Sequence, residues 1–314
     1  MALRDTLRDR LLRSRRAIIA WNIAANQLNR VRHRPGASFE FHTHADTREA
    51  AVRTAGYVRR MFRDYLDILP REYDLAGRRV VEIGPGDQFG VALLFLAHGA
   101  ASVTCLDKYR ARVNPAFLGM LYEELRRDLT PEQQARVSAR GPHGGPGGDA
   151  FRSLDDCPLE RAGAVLEPSS ADLVVSRSVL EYLKQPDEAF RVVDALLARG
   201  GAMAHVVDCR DDGLFSSHGF HPLEFLTVPE STYSAMTSHT YRPNRWRIAQ
   251  FRRVLNDMGY AAVTRVLRIA GEAGRISEVP ALPDSLRLRL ATPFRDLPDA
   301  DLTTDGFSLY AVKP

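Results

Sequence analysis

Glu82, Gly84, Gly86 and Asp107 are the residues of this sequence whose types and spacing most directly allow chemistry. Glu82 closes a β-branched run, Val80-Val81-Glu82-Ile83, and the chain then breaks into Gly84-Pro85-Gly86-Asp87-Gln88-Phe89-Gly90 ahead of an apolar stretch, Val91 to Ala97. That pattern is strand, turn, helix. Glycines let the backbone turn sharply and approach a ligand, and the N–H groups opening a helix point at whatever sits there. Ser102 to Asp107 reads as a second strand, ending in an acid about 20 residues beyond the turn, the spacing of a carboxylate that holds ribose hydroxyls in a nucleotide-binding βαβ unit. A dinucleotide site wants a third glycine where this chain has Phe89. A bulky ring there disfavours a pyrophosphate, so an NAD(P) enzyme ranks as the weaker reading.

The stretch resembles motif I of class I S-adenosylmethionine-dependent methyltransferases, an acid at the strand end followed by Gly-x-Gly, with Asp107 resembling the motif II acid. The resemblance implies that Glu82, Gly84, Pro85 and Gly86 lie near the amino-acid part of the cofactor and that Asp107, with Lys108 beside it, meets the ribose. Gln88 departs from the pattern, which commonly has a further glycine there, and Gly90 is the residue able to restore backbone freedom. A second match is Ala171 to Leu183, which resembles the strand-four region of the small-molecule branch called methyltransferase type 11, placing Ser176 and Arg177 at the cofactor. Tyr182 stands where that branch often has His. In that family the adenine contacts lie after strand three and a little before the strand-four Asp, so the resemblance, counted back from Asp172, implies Pro158-Leu159-Glu160 rather than Asp149-Ala150 and adds Leu159 and Glu160 to the cofactor set.

These residues need elements to position them. The resemblance implies an α/β, Rossmann-like seven-stranded sheet, mostly parallel with an antiparallel last strand and helices on both faces. Strands are expected over residues 80–83, 102–107, 137–140, 171–176, 202–208, 262–269 and 306–312. Thr47 to Leu69 is a helix candidate, opened by Asp46-Thr47-Arg48-Glu49 as an acid cap with Glu three residues on. Leu118 to Arg127, a segment starting at Thr130-Pro131-Glu132, and Glu188 to Ala198 also read as helices, the last ending in a Gly200-Gly201 cap. Residues 1–70 divide off as a basic helical arm plus cofactor-roof helices. Residues 71–314 form the catalytic domain, with 209–247 as a substrate lid rich in His, aromatics and Arg.

Charge is uneven: residues 1–34 hold nine Arg and two Asp, a net of +7, whereas the whole chain carries +4. The remaining body is therefore slightly acidic, a poor match for a nucleic-acid backbone, and no nucleic-acid partner is expected. The arm could lie on an anionic membrane as a basic amphipathic helix, which would make the protein a membrane-peripheral or partner-binding module. Packing on its own domain is the preferred reading. Cys105, Cys157 and Cys209 show no CxxC or metal spacing and fit a reduced, cytoplasmic protein. His42-x-His44 with Asp46 lacks a further ligand cluster, so no metal is expected. The run Gly141 to Gly148 lacks the Lys, Ser or Thr of a phosphate cradle.

Methyl transfer to a hydroxyl needs a base near neutral pH. His218 and His221, among the phenylalanines of the lid, rank first, with Asp208 at the end of strand five, whereas His205 reads as a core residue. Arg242, Arg245 and Arg247 could grip a carboxylate or phosphate on the acceptor. The sequence thus points to a methyltransferase acting on a small molecule or glycan precursor, at oxygen, with an anionic acceptor.

Overall fold

The computed structural model describes residues 14–32, 40–41, 47–111, 114–138, 150–270 and 282–314. Seven strands form one sheet: β1 Arg79–Ile83, β2 Ser102–Leu106, β3 Phe151–Leu154, β4 Ala171–Arg177, β5 Leu197–Asp208, β6 Val263–Ile269 and β7 Thr304–Val312. Their order is β3-β2-β1-β4-β5-β7-β6. The five strands from β3 to β5 pair in parallel, and β7 runs antiparallel to both β5 and β6. The chain reverses its direction of progress between β1 and β4. Above that switch point, at the carboxyl ends of the strands, a crevice opens that loops can line.

Burial on both faces explains the nearly unbroken apolar runs of the central strands. On one face Val80, Val103 and Leu173 pack with Val58 and Phe62 of α2 (Arg48–Ile68), Phe95 of α3 (Gly90–Ala97) and Leu121 of α4 (Pro115–Arg126). On the other, Val81, Ile83 and Val174 pack with Phe190 of α6 (Pro186–Leu196) and Phe251 of α8 (Ile248–Asp257). All eight residues of α3 are buried, which is why that helix is apolar all round. The cap of α2 is Thr47, whose hydroxyl accepts from the N–H of Ala50.

Two elements differ from expectation. The strand sought at 137–140 is occupied, through Ser138, by helix α5 (Pro131–Ser138). A reciprocal box explains this: the Gln133 N–H donates to the Thr130 hydroxyl, and the Thr130 N–H donates to the Gln133 amide oxygen. The third strand is Phe151–Leu154 instead. The second difference is at Gly200-Gly201: α6 ends at Leu196 and β5 starts at Leu197, so Gly200, with φ +73°, turns within the strand rather than capping the helix. His42, His44, Asp46 and Gly141 to Gly148 lie outside the described residues.

The insertion after β5 builds a third core. Phe215, Phe225 and Met236, the last on α7 (Glu230–Thr237), pack with Ile18 of α1 (Arg15–Arg32) and with Leu286 of α9 (Asp284–Arg287). Asp211 organises its start, accepting from the N–H groups of Gly213, Phe215 and Ser216 and from the Ser216 hydroxyl. Arg15 pairs with buried Glu224 at 3.0 Å, and the Asn26 side chain bonds the Ala235 carbonyl and the His239 N–H. Helix α1 therefore packs on the protein's own insertion. Among the described residues no helix is long and apolar enough to cross a membrane.

Candidate functional site

The glycine turn after β1 is shaped by two left-handed glycines, Gly84 at φ +70° and Gly86 at φ +73°. A Cβ on Gly84 would lie 2.4 Å from Val179 Cγ2, so the close approach of the β4 loop requires glycine there. Gln88, the departure from the family pattern, has a definite job. Its side-chain oxygen accepts the Gly90 N–H at 2.7 Å, and the strained conformation falls instead on Phe89, at φ +47° and packed edge-on against Phe151. The first N–H of α3 is thereby taken by the protein itself, which removes a donor that a pyrophosphate would need.

Asp107 follows β2 at the same height as this turn. Its carboxylate accepts from the Tyr109 N–H at 2.9 Å, and burial pushes its pKa up to about 6 against the opposing pull of the Tyr109 and Gly86 N–H groups. The Asp107 carbonyl accepts from Cys157 at 2.9 Å, which draws Leu159 and Glu160 under the same opening. Gly84, Asp107, Lys108, Leu159 and Glu160 line one cleft with Tyr109, Val179, Tyr182, Lys184, Thr240 and Tyr241. It encloses about 650 Å³, counting the open solvent at its mouth.

Thr240 and Tyr241 belong to the insertion, which Lys184 and Tyr182 fasten across the cleft. Lys184 Nζ donates to the carbonyls of Thr237 and Arg242, each at 3.1 Å. The Tyr182 ring stacks on Tyr241 with centroids 4.4 Å apart, and its hydroxyl donates to Asp212 at 2.6 Å. Arg242 Nη1 in turn donates to the Asp212 carbonyl at 2.9 Å, holding that residue at φ +49°. Strain at a non-glycine residue beside a cleft is a recurrent mark of a working site. Burial and the Asp212 carboxylate both push the Tyr182 phenol well above its ordinary pKa.

A family model described as a methyltransferase domain matches residues 57–265. The chain belongs to that family, and its cofactor is S-adenosylmethionine. No curated protein matches the chain significantly. Solved structures similar to it include an S-adenosylmethionine-dependent methyltransferase from Mesorhizobium loti, at 17% identity and TM-score 0.42, covering 85% of this chain and 100% of that one. Another is Haemonchus contortus phosphoethanolamine N-methyltransferase 2 in complex with S-adenosyl-L-methionine, at 14% identity and TM-score 0.45, covering 85% of this chain and 57% of that one.

Within this methyltransferase the other residues singled out from sequence have distinct places. Glu82 lies below the turn, 2% exposed, its carboxylate accepting from Cys105 Sγ at 3.6 Å and its pKa raised to about 7 by burial. Pro85 is buried within the turn. Ser176 is fully buried, its hydroxyl 2.8 Å from His205 Nδ1, so that pair is a core contact. Arg177 pairs with Asp64 of α2 at 2.5 Å.

The lid residues depart further from expectation. His218 and His221 do not line the cleft, and His221 Nδ1 accepts the Leu223 N–H. Asp208 is held ionised by Arg210 and Arg268. Arg245 is buried between Glu230, the Phe225 and Val228 carbonyls and the Tyr233 ring, and Arg247 is fully buried against the Cys209 and Thr304 carbonyls and Asp305. Both guanidiniums are used within the fold, and Arg242, next in sequence to the cleft-lining Tyr241, donates to the Asp212 carbonyl. Among the described residues no cluster of His, Cys, Asp and Glu could hold a metal. Sequence reasoning missed the wall of Tyr109, Tyr182, Lys184 and Tyr241. Tyr182 had a signal, its place in the strand-four motif, whereas Tyr241 had none.

Asp107 makes a pH prediction. A carboxylate that accepts ribose hydroxyls works ionised, and this one gains its proton near pH 6. Affinity for methylthioadenosine, which carries the ribose without the amino-acid end, is expected to fall about tenfold between pH 7.5 and pH 5. Calorimetry at the two pH values measures it, and Asp107→Asn should bind weakly with a flat profile. Equal affinity of the wild type at both would exclude Asp107 from the ribose site.

Proposed function

We propose that this methyltransferase moves the methyl group of S-adenosylmethionine to a hydroxyl of a small molecule or glycan precursor. The observation that supports it best is the 2.6 Å bond to Asp212 made by Tyr182, which lines the cleft together with Gly84 and Asp107. The residues fit the cofactor: Gly84 and Gly86 would cradle its amino-acid end, Asp107 would accept the ribose hydroxyls, and Leu159 with Glu160 would meet the adenine. Bound there, S-adenosylmethionine supplies a methyl group on a sulfonium, open to in-line attack.

The chain's own residues then align the acceptor, exclude water and take one proton. Tyr182 is a phenol that keeps its proton at neutral pH, so it works as a relay. Its oxygen accepts the acceptor's hydroxyl proton while its own proton passes to Asp212 Oδ2. An anionic group on the acceptor would meet Lys108 and Lys184, which line the cleft, with Arg242 next in sequence to the lining residue Tyr241. The three free cysteines, two of them buried, support a reducing, cytoplasmic setting.

A screen of hydroxyl compounds in an assay coupled to S-adenosylhomocysteine release identifies the acceptor. Tyr182→Phe and Asp212→Asn should then each lower kcat roughly 100-fold while calorimetric affinity for S-adenosylhomocysteine stays near wild type. Transfer at full rate in both variants, or transfer only to amines, would sink the O-methylation reading.

A further inference from the structure

Two buried polar groups under the glycine turn lack the partners they need. Tyr65 on α2 is 1% exposed and its ring packs on Phe95, with centroids 6.1 Å apart, yet its hydroxyl has no hydrogen-bond partner among the described residues. Leaving a buried donor unsatisfied costs free energy in every folded molecule, so a phenol kept there calls for a reason. The hydroxyl lies in the field of the Glu82 carboxylate and of the Arg177 guanidinium, with Tyr57 and Asp64 further contributors. Glu82 is the second group: among the described residues its hydrogen-bond partner is a thiol, a weak donor, and no cation forms an ion pair with it, although it is 2% exposed. Arg177 could have served, but it is turned to Asp64.

A phenol O–H in want of an acceptor beside a carboxylate in want of a cation matches one ligand chemistry, the zwitterionic end of an α-amino acid. The adjacent turn, Gly84 to Gly86, is where the cofactor's amino-acid end would lie on the reading above, and this inference rests on that reading. We propose that Tyr65 is a cofactor-binding residue, its hydroxyl donating to the carboxylate of the amino-acid end while Glu82 receives the ammonium. Helix α2 would then contribute to recognition as well as to the core, and the chain would distinguish the intact cofactor from fragments lacking the amino acid.

Two ligands and one variant test this. S-adenosylhomocysteine carries the amino-acid end, and methylthioadenosine lacks it. Tyr65→Phe keeps the ring against Phe95 and removes only the hydroxyl. The expected result is about tenfold weaker binding of S-adenosylhomocysteine with methylthioadenosine unchanged, and a ligand-free melting temperature at or above wild type because an unsatisfied donor has gone. A purely structural tyrosine would give the opposite pattern: a lower melting temperature, or equal losses for both ligands, overturns the proposal. Unchanged S-adenosylhomocysteine affinity in Tyr65→Phe overturns it too. If the wild type binds neither ligand, the cofactor reading falls and the role of Tyr65 falls with it, a result distinct from the other two.

Discussion

Gly84→Ala is expected to weaken S-adenosylhomocysteine binding roughly 100-fold while the domain still folds. Two costs act at one atom. The residue sits at φ +70°, where a side chain costs about 1–2 kcal/mol. The new Cβ would also lie 2.4 Å from Val179 Cγ2. Val179 is β-branched and adjoins Ser178, itself at φ +52°, so it has little freedom to move aside. Its displacement would shift the short turn that carries Tyr182 and narrow the cleft they share. Gly86→Ala provides the control: at φ +73° it meets nothing within 4 Å, so it bears the backbone cost alone and should lose much less affinity. Calorimetry on both variants, with thermal melts to show that each folds, makes the comparison. Equal binding by Gly84→Ala and wild type would place the cofactor elsewhere.

Arg247→Met is expected to lower stability by about 3–5 kcal/mol, the cost of breaking a fully buried ion pair by removing one partner. Arg247 donates to the Cys209 carbonyl at 2.5 Å, to the Thr304 carbonyl and to Asp305 at 3.2 Å. It thereby ties the start of the insertion to the start of β7, while its own backbone opens α8. Methionine fills much of the space but leaves two carbonyls and a buried carboxyl without a donor. Lysine is a poor substitute, since one ammonium cannot span the fork of acceptors. Urea denaturation measures the loss, and KM for the acceptor, per folded molecule, should not change. A stable variant with a raised KM would instead make Arg247 an acceptor ligand, as its place in the sequence had led us to expect.

The contrast between these two residues follows the division between local and distant information. Strand, turn and helix at Val80 to Ala97 are contiguous, so their apolar run, glycines and helix were readable in order, and Asp107 followed from a spacing set by one helix and one turn. The antiparallel β7 was expected through the family resemblance, whereas its place between β5 and β6 is set by pairing between segments distant in sequence. Legibility failed where a short pattern allows two structures. Val137-Ser138 alternates like a strand but completes a helix that Thr130 and Gln133 had already capped. The true third strand, Phe151–Leu154, is a half-exposed edge with little apolar signal.

By itself the sequence determined the βαβ unit and the acid beside it, because those depend on neighbouring residues and backbone sterics, and the cofactor class followed from its resemblance to a known family. Only the tertiary structure decided the other wall of the cleft and the employment of the arginines. Tyr241 reaches Tyr109 and Tyr182 across long loops, at a centroid distance of 5.8 Å from the former, and no local pattern encodes that approach. A guanidinium satisfies its donors equally well on a ligand's carboxylate or on backbone carbonyls of its own chain. Which of the two Arg245 and Arg247 do depends on whether folding buries them, and it buries both.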